Sequence, residues 1–493
     1  MASRYILAID QGTTGSRAFI FDDQGRIVAR AYQEFAQYFP KPGWVEHDAD
    51  EIWASCVAVI KKAVATAKIL PSAIAAIGIT NQRETTIVWD RCTGRPVHRA
   101  IVWQCRRTAD MCRDPRLKKH TSLIKKTTGL VLDPYFSGTK IKWLLDHVPG
   151  LKAKAKKGDV CFGTVDSWLI YQLTGGKTHA TDMTNASRTL IFDIHRKVWS
   201  RPLLKLLNIP EKILPQVQPS GSIFGRTIAT AGLTAGIPIT SVMGDQQAAL
   251  YGQGCFSAGT MKNTYGTGCF LVLNTGTKAR NSKNGLLTTI ACDHQGRPVY
   301  ALEGAVFIAG AVVQWLRDQV GIIPDSASSE HLIKGLKDTA GVYFVPAFVG
   351  LGAPYWDAQA RGSITGLTRG ANAKHIIRAA LEAIAYQTKD LVNAMNKDYG
   401  GRISCLAVDG GACRNDFLMQ FQADILAIPV IRPKMVDSTV AGAAHLAGVT
   451  AGIWKPKDLD TMRGVDRTFK PSMPHKMIVE KYSGWQNAIK RTR

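Results

Sequence analysis

The chain has 493 residues, of which 45% are hydrophobic and 20% are charged. This length is too great for one hydrophobic core, so we expect a globular protein with two large domains. No apolar run is long enough to span a bilayer, and the N-terminus lacks the pattern of a secretory signal. The ten cysteines include no CxxC pair, which argues against zinc and disulfide frameworks. We therefore expect a location in the reducing cytoplasm, without stable membrane association.

The positive charge of the chain is concentrated in one region. The formal net charge is +24, and residues 91–157 alone carry 17 Lys or Arg against 4 Asp or Glu. Such a region is typical of a nucleic-acid surface or of a solvated basic face that attracts anions. Nucleic-acid sites usually interleave aromatic and basic residues, whereas Trp103, Tyr135, Phe136 and Trp143 lie outside the densest lysine runs. We expect a solvated face and no nucleic-acid partner.

The first elements in chain order predict an α/β layer. Three apolar segments, RYILAID, RAFIFD and GRIVARAYQEF, are separated by turn residues and predict an antiparallel meander. Asp50 is expected to cap a helix over DEIWASCVAVIKKAVATA, whose apolar residues fall on one stripe. The strand AIAAIGIT follows, and strands joined by a crossover helix indicate an α/β fold.

The second half of the sequence shows a similar succession of strands and helices. The segments ILAIDQGTT and CLAVDGGAC each contain an apolar strand that ends in Asp, followed by Gly within two residues. This similarity suggests two similar halves. We expect domains at residues 1–250 and 251–493.

The strand AIAAIGIT runs directly into Asn81, Gln82, Arg83 and Glu84. A surface turn is one interpretation, because turns favour Asn. The other is a polar site at the carboxyl end of a buried strand, where open α/β sheets bind ligands. These residues alone leave both interpretations open.

Three Gly-rich turns at strand ends have the composition of phosphate-binding loops. In IDQGTTGSR, Gly12 and Gly15 permit a tight turn, and the hydroxyl groups and Arg17 add hydrogen-bond donors. Asp10 in the same segment is a candidate for holding Mg²⁺ through water. NTYGTGCF and DGGACRNDF are the second and third turns. One such turn is often an ordinary hairpin, but three in one chain favour a polyphosphate ligand.

Asp245, in the segment VMGDQQAALYG, lies at a predicted strand–helix junction. A carboxylate there is either a helix N-cap or a general base that accepts a hydroxyl proton. The segment by itself favours the cap.

Several longer segments resemble the FGGY carbohydrate kinases, a family within the actin/hexokinase/Hsp70 superfamily. YFSGTKIKWLLDH is similar to the first signature of the family, and GSITGLTRGANAKHIIRAALE is similar to the second. NQRETT, IVWQCRRT, MGDQQAAL, YGTGCF and DGGACRNDF resemble the branch of the family that phosphorylates glycerol. The resemblance covers nearly the whole chain. It implies an α/β fold of two RNase H-like domains, each a five-stranded mixed sheet flanked by helices, with a cleft between them.

The same resemblance implies the roles of individual residues. The polyol would be bound by Arg83, Glu84, Trp103, Tyr135, Asp245, Gln246 and Phe270. ATP would be bound by Thr13, Thr14, Gly15, Arg17, Thr267, Gly310, Gln314, Gly411, Ala412 and Asn415. Asp10 and Asp245 would hold Mg²⁺, and Asp245 would also be the general base. These roles imply ATP-dependent phosphorylation of glycerol to sn-glycerol 3-phosphate, in glycerol uptake and catabolism. We expect a cytoplasmic homo-oligomer, either a dimer or a tetramer.

Two other functions stay open at this stage. One is phosphorylation of a pentulose or a longer polyol by another kind of FGGY kinase, against which the segments NQRETT and IVWQCRRT argue. The other is a catalytically silent, ATP-driven hinge or scaffold, against which Asp245 and the implied polyol-binding set argue.

Regulation is the point at which the sequence departs from the family. Some bacterial members bind fructose 1,6-bisphosphate on a Gly-rich loop that ends in Arg. Here the corresponding segment is ATAGLTAGIPIT, with Gly236 in place of the Arg, and residues 227–261 contain no Lys or Arg. Charge-assisted hydrogen bonds contribute on the order of 1.5–3 kcal/mol each. Losing two of them weakens binding by a factor of about a hundred or more.

We therefore predict that millimolar-range fructose 1,6-bisphosphate leaves the rate of phosphorylation unchanged. The measurement is a rate titration with the bisphosphate, with fructose 6-phosphate as the control. Saturable inhibition by the bisphosphate alone would contradict the prediction.

Overall fold

The first half of the chain builds a mixed sheet of five strands. The structure, a computed structural model, describes residues 4–357 and 359–493. The strands are β1 (Tyr5–Gln11), β2 (Gly15–Phe21), β3 (Ile27–Glu34), β4 (Ile74–Asn81) and β5 (Ile239–Gly244). Their order is β5-β4-β1-β2-β3, with β1–β2 and β2–β3 antiparallel and β1–β4 and β4–β5 parallel. The predicted opening meander and the predicted strand over AIAAIGIT are confirmed, and the structure shows that this strand pairs parallel with both of its neighbours.

The second half builds a larger mixed sheet of seven strands. They are β6 (Thr260–Tyr265), β7 (Cys269–Gly276), β8 (Leu287–Cys292), β9 (Pro298–Val306), β10 (Cys405–Asp409), β11 (Val430–Pro433) and β12 (Val465–Phe469). Their order is β8-β9-β7-β6-β10-β11-β12. The first sheet thus has the five strands that we expected, whereas the second has two more. The additional strands, β8 and β12, pair antiparallel to β9 and β11 at the two edges of the sheet.

The two sheets share one topology. The central strands β9-β7-β6-β10-β11 repeat the pattern of the first sheet, with two antiparallel pairings followed by two parallel ones. The predicted similarity of the halves is therefore right, but the two segments compared in the sequence are not counterparts. The counterpart of β1 is β6, and β10 corresponds to β4.

Seven helices flank the sheets or join them. They are α1 (Ala49–Ala67), α2 (Asp245–Gly252), α3 (Gly310–Asp318), α4 (Ala373–Tyr399), α5 (Asp416–Leu426), α6 (Ser438–Thr450) and α7 (His475–Thr492). The N-cap of α1 is Asp48 rather than Asp50, because the Asp48 side chain accepts hydrogen bonds from the N–H groups of Asp50 and Glu51.

Helices α1 and α6 cover opposite faces of the first sheet. Leu7 and Ile9 of β1 belong to the core that includes α1, whereas Ile6 and Ala8 belong to the core that includes α6. Both faces of β1 are therefore buried, which explains its nearly continuous apolar sequence. Helix α6 lies in the chain between β11 and β12 of the second sheet but packs on the first, so it connects the two halves. The division at residue 250 stays a prediction.

Two glycines allow α2 and α6 to approach closely. A Cβ atom added to Gly442 would lie 1.9 Å from the carbonyl oxygen of Ala248. One added to Gly252 would lie 2.1 Å from the carbonyl oxygen of Ser438. Only glycine fits at either position without a shift of backbone. Because α2 begins at Asp245, this contact helps to fix the position of that residue.

A long insertion separates β4 from β5. Its helices are Ala109–Arg113, Pro115–Lys118, Thr121–Thr128, Ser137–His147, Leu151–Lys157, Val165–Leu173, Met183–Ala186 and Arg201–Leu207. Three pairs of short strands lie within the insertion: Ile87–Asp90 with Val160–Gly163, Ala180–Asp182 with Gln216–Gln218, and Phe192–Asp193 with Val198–Trp199. A further strand of the insertion, Ala100–Ile101, pairs with Glu46–His47, which precedes α1. The insertion reaches the edge of the second sheet, where the Thr288 N–H donates to the Gly129 carbonyl at 2.9 Å.

Short elements complete the second half. They are the strand pair Tyr343–Val345 with Ser363–Thr365 and the helices Ser328–Leu332 and Leu459–Arg463. Within the described part of the chain, no helix is both long and apolar enough to cross a membrane.

The loop at residues 227–236 contains no Lys or Arg, but two cationic side chains from outside it lie next to it. The Lys61 side chain packs against Gly232, and the Arg226 guanidinium donates to the Gly236 carbonyl at 2.9 Å. One arm of this guanidinium is thus already engaged with the backbone. The predicted indifference to fructose 1,6-bisphosphate stays a prediction.

The close contact of α2 with α6 gives a test of stability. Gly442→Ala should lower the free energy of unfolding by about 1–3 kcal/mol, because its methyl group overpacks a backbone contact. Denaturant unfolding measures this. Gly370→Ala is the control, since a Cβ there would meet no atom closer than 3.9 Å. Equal stability of the two variants would contradict the contact.

Candidate active site

The polar segment after β4 lies inside the protein. The six residues from Asn81 to Thr86 are all buried. Gln82 ties the ends of two strands together, because its backbone N–H donates to the Gln11 carbonyl at 2.7 Å and its amide donates to the Gln11 side chain at 3.0 Å. Glu84 adopts a φ of +61°, a left-handed conformation that is uncommon outside glycine. The surface-turn interpretation is wrong, and the segment is a polar site at the carboxyl end of a strand.

A cavity of about 150 Å³ opens at this edge of the first sheet. Besides Thr13, it is lined by all seven residues predicted to bind the polyol, namely Arg83, Glu84, Trp103, Tyr135, Asp245, Gln246 and Phe270. Phe270 belongs to β7, so both halves contribute to the wall. The rings of Trp103 and Tyr135 meet edge to face, with centroids 5.6 Å apart. The cavity therefore combines cationic, anionic and amide groups with three aromatic rings.

Four buried charged side chains form an ion-pair network at the cavity. The Arg83 guanidinium donates two hydrogen bonds to the Glu303 carboxylate, at 2.6 and 3.0 Å. Arg188 donates to Glu84 at 2.6 Å and lies 3.1 Å from Glu303. None of the four residues is more than 3% exposed. Such charges persist in the interior because each one is paired.

The two carboxyl groups of this network differ in their tendency to ionise. Burial opposes ionisation of Glu303, but Arg188 and Arg83 outweigh it and lower the pKa of this carboxyl to about 2. Burial raises the pKa of Glu84 above its usual value, in spite of the attraction of Arg188 and Arg83. Glu303 is thus a fixed anion that holds both arginines.

Arg188 and Glu303 were missed by the sequence reasoning. Neither lies in a recognised motif, and each is a single charge within a neutral segment, SRTL or YALEGAV. A lone carboxylate in the middle of an apolar strand was the available signal for Glu303. Its partner is remote in sequence, so the signal gave no indication of what it pairs with.

Asp245 is the first residue of α2, and the cap position before it is occupied by Gly244. Its carboxylate accepts the Gln246 N–H at 2.7 Å and lies 3.0 Å from Nε of Arg83. The side chain is 32% exposed and lines the cavity. This geometry leaves a carboxylate that a substrate hydroxyl can reach, and it disfavours the helix-cap interpretation.

The turn between β1 and β2 is linked to the cavity by one hydrogen bond. The indole Nε1 of Trp103 donates to the Thr13 hydroxyl at 2.9 Å. Thr13, predicted to contact the nucleotide, therefore lies in the wall of this cavity of about 150 Å³. Thr14 is exposed at the same turn. Gly15 is buried in β2, where a Cβ would lie 2.6 Å from the Tyr32 ring, so packing alone requires its lack of a side chain.

A second cavity, of about 350 Å³, lies between the ends of β1 and β10. Of the predicted nucleotide and metal residues, it is lined by Asp10, Arg17 and Gly411. Its wall also includes Thr264 of the second predicted phosphate-binding turn and Asp409 and Arg414 of the third, whereas Asp437 lies in none of the predicted turns. The Arg17 guanidinium lies 3.6 Å from Asp437 and 3.9 Å from Asp10. The mixture of carboxylates and guanidinium groups suits a phosphate chain that carries a cation.

The larger cavity fits the implied Mg²⁺. Burial raises the pKa of Asp10 to about 6, with Asp245 and Asp437 adding to the rise and Arg17 opposing it. Oδ1 of Asp409 is buried without a hydrogen-bond partner. Among residues 4–357 and 359–493, no three candidate ligands cluster closely enough to hold a metal ion alone. Mg²⁺ commonly binds one or two carboxylates, with water and substrate phosphates as the other ligands. These oxygen atoms therefore fit the ion.

The other predicted nucleotide residues belong to the second half. Thr267 lies on the β6–β7 turn, which the start of α3 supports through the bond from the Gly310 N–H to the Gly266 carbonyl at 2.9 Å. A Cβ at Gly310 would lie 2.6 Å from that carbonyl oxygen, so glycine is required. Gln314 is exposed on α3, and Ala412 is half-buried before α5. Asn415 caps α5 by accepting the Leu418 N–H at 2.8 Å, and its amide nitrogen donates to the Ser329 hydroxyl at 3.5 Å.

Comparison with known proteins agrees with this architecture. Residues 5–252 match the N-terminal domain of the FGGY family of carbohydrate kinases, and residues 261–451 match the C-terminal domain. The chain is 56% identical over 490 residues to glycerol kinase 2 of Thermotoga maritima, with 99% of each chain covered. It is 55% identical over 494 residues to the glycerol kinase of Shewanella oneidensis, with both chains fully covered.

A solved structure shows the same fold. The glycerol kinase of Plasmodium falciparum, crystallised with ADP, superposes with a TM-score of 0.94 at 38% sequence identity. The alignment covers 99% of this chain and 98% of that one. Because both domains of the family match and the relatives match over the full length, the chain belongs to the FGGY family of carbohydrate kinases.

Proposed function

We propose that the protein transfers the γ-phosphoryl group of ATP to a primary hydroxyl of glycerol and releases ADP and sn-glycerol 3-phosphate. The main support is the cavity of about 150 Å³, in which the Asp245 carboxylate lies beside Arg83 and Glu84. This volume is far below the roughly 300–1,000 Å³ of pockets for drug-sized ligands, so it favours a small substrate. The relatives that share 55% and 56% of their residues with the chain are glycerol kinases.

The cavity matches the hydrogen-bonding needs of a triol. Each hydroxyl of glycerol can both donate and accept. Arg83 supplies donors and Glu84 supplies an acceptor, while the rings of Trp103 and Phe270 pack against the carbon chain. A substrate that lacks one hydroxyl would leave a buried polar group unpaired, and this penalty gives the site its selectivity.

Asp245 acts as the general base. Its carboxylate accepts the proton of the attacking hydroxyl while the new O–P bond forms and the bond from phosphorus to the β,γ-bridging oxygen breaks. Arg17 and the backbone at Gly411 orient the phosphates in the larger cavity. Mg²⁺, held by Asp10 and Asp245, would neutralise the charge of these phosphates when bound.

A coupled ADP-release assay with a panel of polyols and ketoses tests the proposed function. We expect rapid release with glycerol and much slower release with a pentulose or a longer polyol. A preference for a pentulose would favour another carbohydrate kinase of the family. If no polyol stimulates ADP release, the scaffold interpretation gains support.

Assembly as a dimer or tetramer and location in the cytoplasm are further proposals, and analytical ultracentrifugation tests the first.

The role of Asp245 is tested by Asp245→Asn. This variant should bind glycerol with nearly normal affinity but turn over more slowly by a factor of about 10² or more, because the base is lost. Calorimetry and steady-state rates on one preparation measure both quantities. Asp22→Asn is the control, since Asp22 is likewise paired with an arginine but lies in a remote hairpin. Near-normal turnover of Asp245→Asn would contradict its role as the base.

The role of Glu84 is tested by Glu84→Gln, which keeps the shape of the side chain and removes one acceptor charge. Glycerol affinity should fall about tenfold or more, because hydrogen bonds to charged groups contribute roughly 1.5–3 kcal/mol. The affinity for ADP should change little. Glu46→Gln is the control, because Glu46 forms a similar buried pair with Arg107 outside both cavities. An equal loss of both affinities would show that Glu84 has no specific role in polyol binding.

A further inference from the structure

Lys262 on β6 is a buried cation that contacts the walls of both cavities. Its side chain is fully buried. The ammonium group donates to Oε1 of Gln246 and, at 2.7 Å, to the hydroxyl of Thr264. Gln246 lines the smaller cavity and Thr264 lines the larger one. One ammonium group thus contacts both the proposed polyol site and the proposed phosphate site.

This contact fixes the orientation of the Gln246 carboxamide. An ammonium group has only donors, so the oxygen of the amide must face Lys262. The amide nitrogen then remains free to donate to an oxygen atom in the cavity. Without Lys262, the carboxamide would lose the partner that determines which end faces the substrate.

Charges of both halves surround the ammonium group. Burial lowers the pKa of Lys262, while the carboxylates of Asp409, Asp245 and Glu303 oppose this effect and Arg83 adds to it. Asp245 lies on the wall of the smaller cavity and Asp409 on that of the larger one. A cation between them reduces the repulsion that these carboxylates would exert on an incoming phosphate chain.

We infer that Lys262 is a positioning residue for phosphoryl transfer, which orients Gln246 toward the polyol and places positive charge between the two cavities. This inference rests on the proposed function, because a phosphoryl group that moves from ATP to glycerol has to pass from the larger cavity to the smaller one. The two tasks predict separate effects. Loss of the orientation weakens glycerol binding, and loss of the charge slows the transfer.

The test is Lys262→Met, which keeps the approximate length of the side chain without its charge. We expect kcat to fall by a factor of about 10², and the affinity for glycerol alone, measured by calorimetry, to fall about tenfold. The affinity for ADP should stay within about twofold. Lys389→Met is the matched control, because Lys389 is a half-buried lysine that donates to the Ile425 carbonyl away from both cavities. It should keep normal kinetics.

The unmodified protein, assayed in parallel, distinguishes a failure of the proposed function from a failure of the inference about Lys262. If it releases no ADP with glycerol, the proposed function fails. If it is active and Lys262→Met shows normal kcat per folded molecule, only the inference about Lys262 is overturned, and the lysine is merely structural. Should Lys262→Met not fold, Thr264→Val decides, since it removes one acceptor of the ammonium group and no buried charge. A fall in kcat of about tenfold with unchanged affinity for ADP would support the inference, and a normal kcat would overturn it.

Discussion

The proposed substrate cavity depends on the ion pair between Arg83 and Glu303. Arg83 follows β4 of the first sheet and Glu303 lies on β9 of the second, so their two hydrogen bonds join the halves of the protein. The same guanidinium lies 3.0 Å from the carboxylate of Asp245. Removing one partner of such a buried pair typically costs about 3–5 kcal/mol, because the remaining charge is left uncompensated. One guanidinium therefore connects the proposed substrate contacts, the proposed general base and the junction between the sheets.

The fold holds this arrangement through close backbone contacts. Helix α2 carries Asp245 at its first residue and packs on α6, where Gly252 and Gly442 allow the two backbones to meet. Helix α6 also covers one face of the first sheet. The carboxyl ends of β1 and β4 are tied by Gln82, which places Arg83 and Glu84 next to the turn that carries Thr13. Glycines and the Gln82 amide thus position the backbone segments that carry the charged side chains of the cavity.

The sequence predicted the parts of the site that lie in continuous motifs. The seven residues predicted to bind the polyol line one cavity, and they could be named because they lie in segments that resemble those of the family. Glu303, Arg188 and Lys262 could not be found in this way. Arg83 is separated from Glu303 by 220 positions and Glu84 from Arg188 by 104, and local pattern does not show which buried charges will meet. The edge strands β8 and β12 were missed because the resemblance implied five strands in each sheet.

A crystal structure with glycerol and a non-hydrolysable ATP analogue would show whether glycerol binds beside Asp245 in this cavity. We expect glycerol in the cavity of about 150 Å³, with one primary hydroxyl within hydrogen-bond distance of Asp245 and pointing toward the γ-phosphate analogue. The other hydroxyls should contact Arg83 and Glu84. Glycerol bound elsewhere, or bound in this cavity with no hydroxyl near Asp245, would contradict the account.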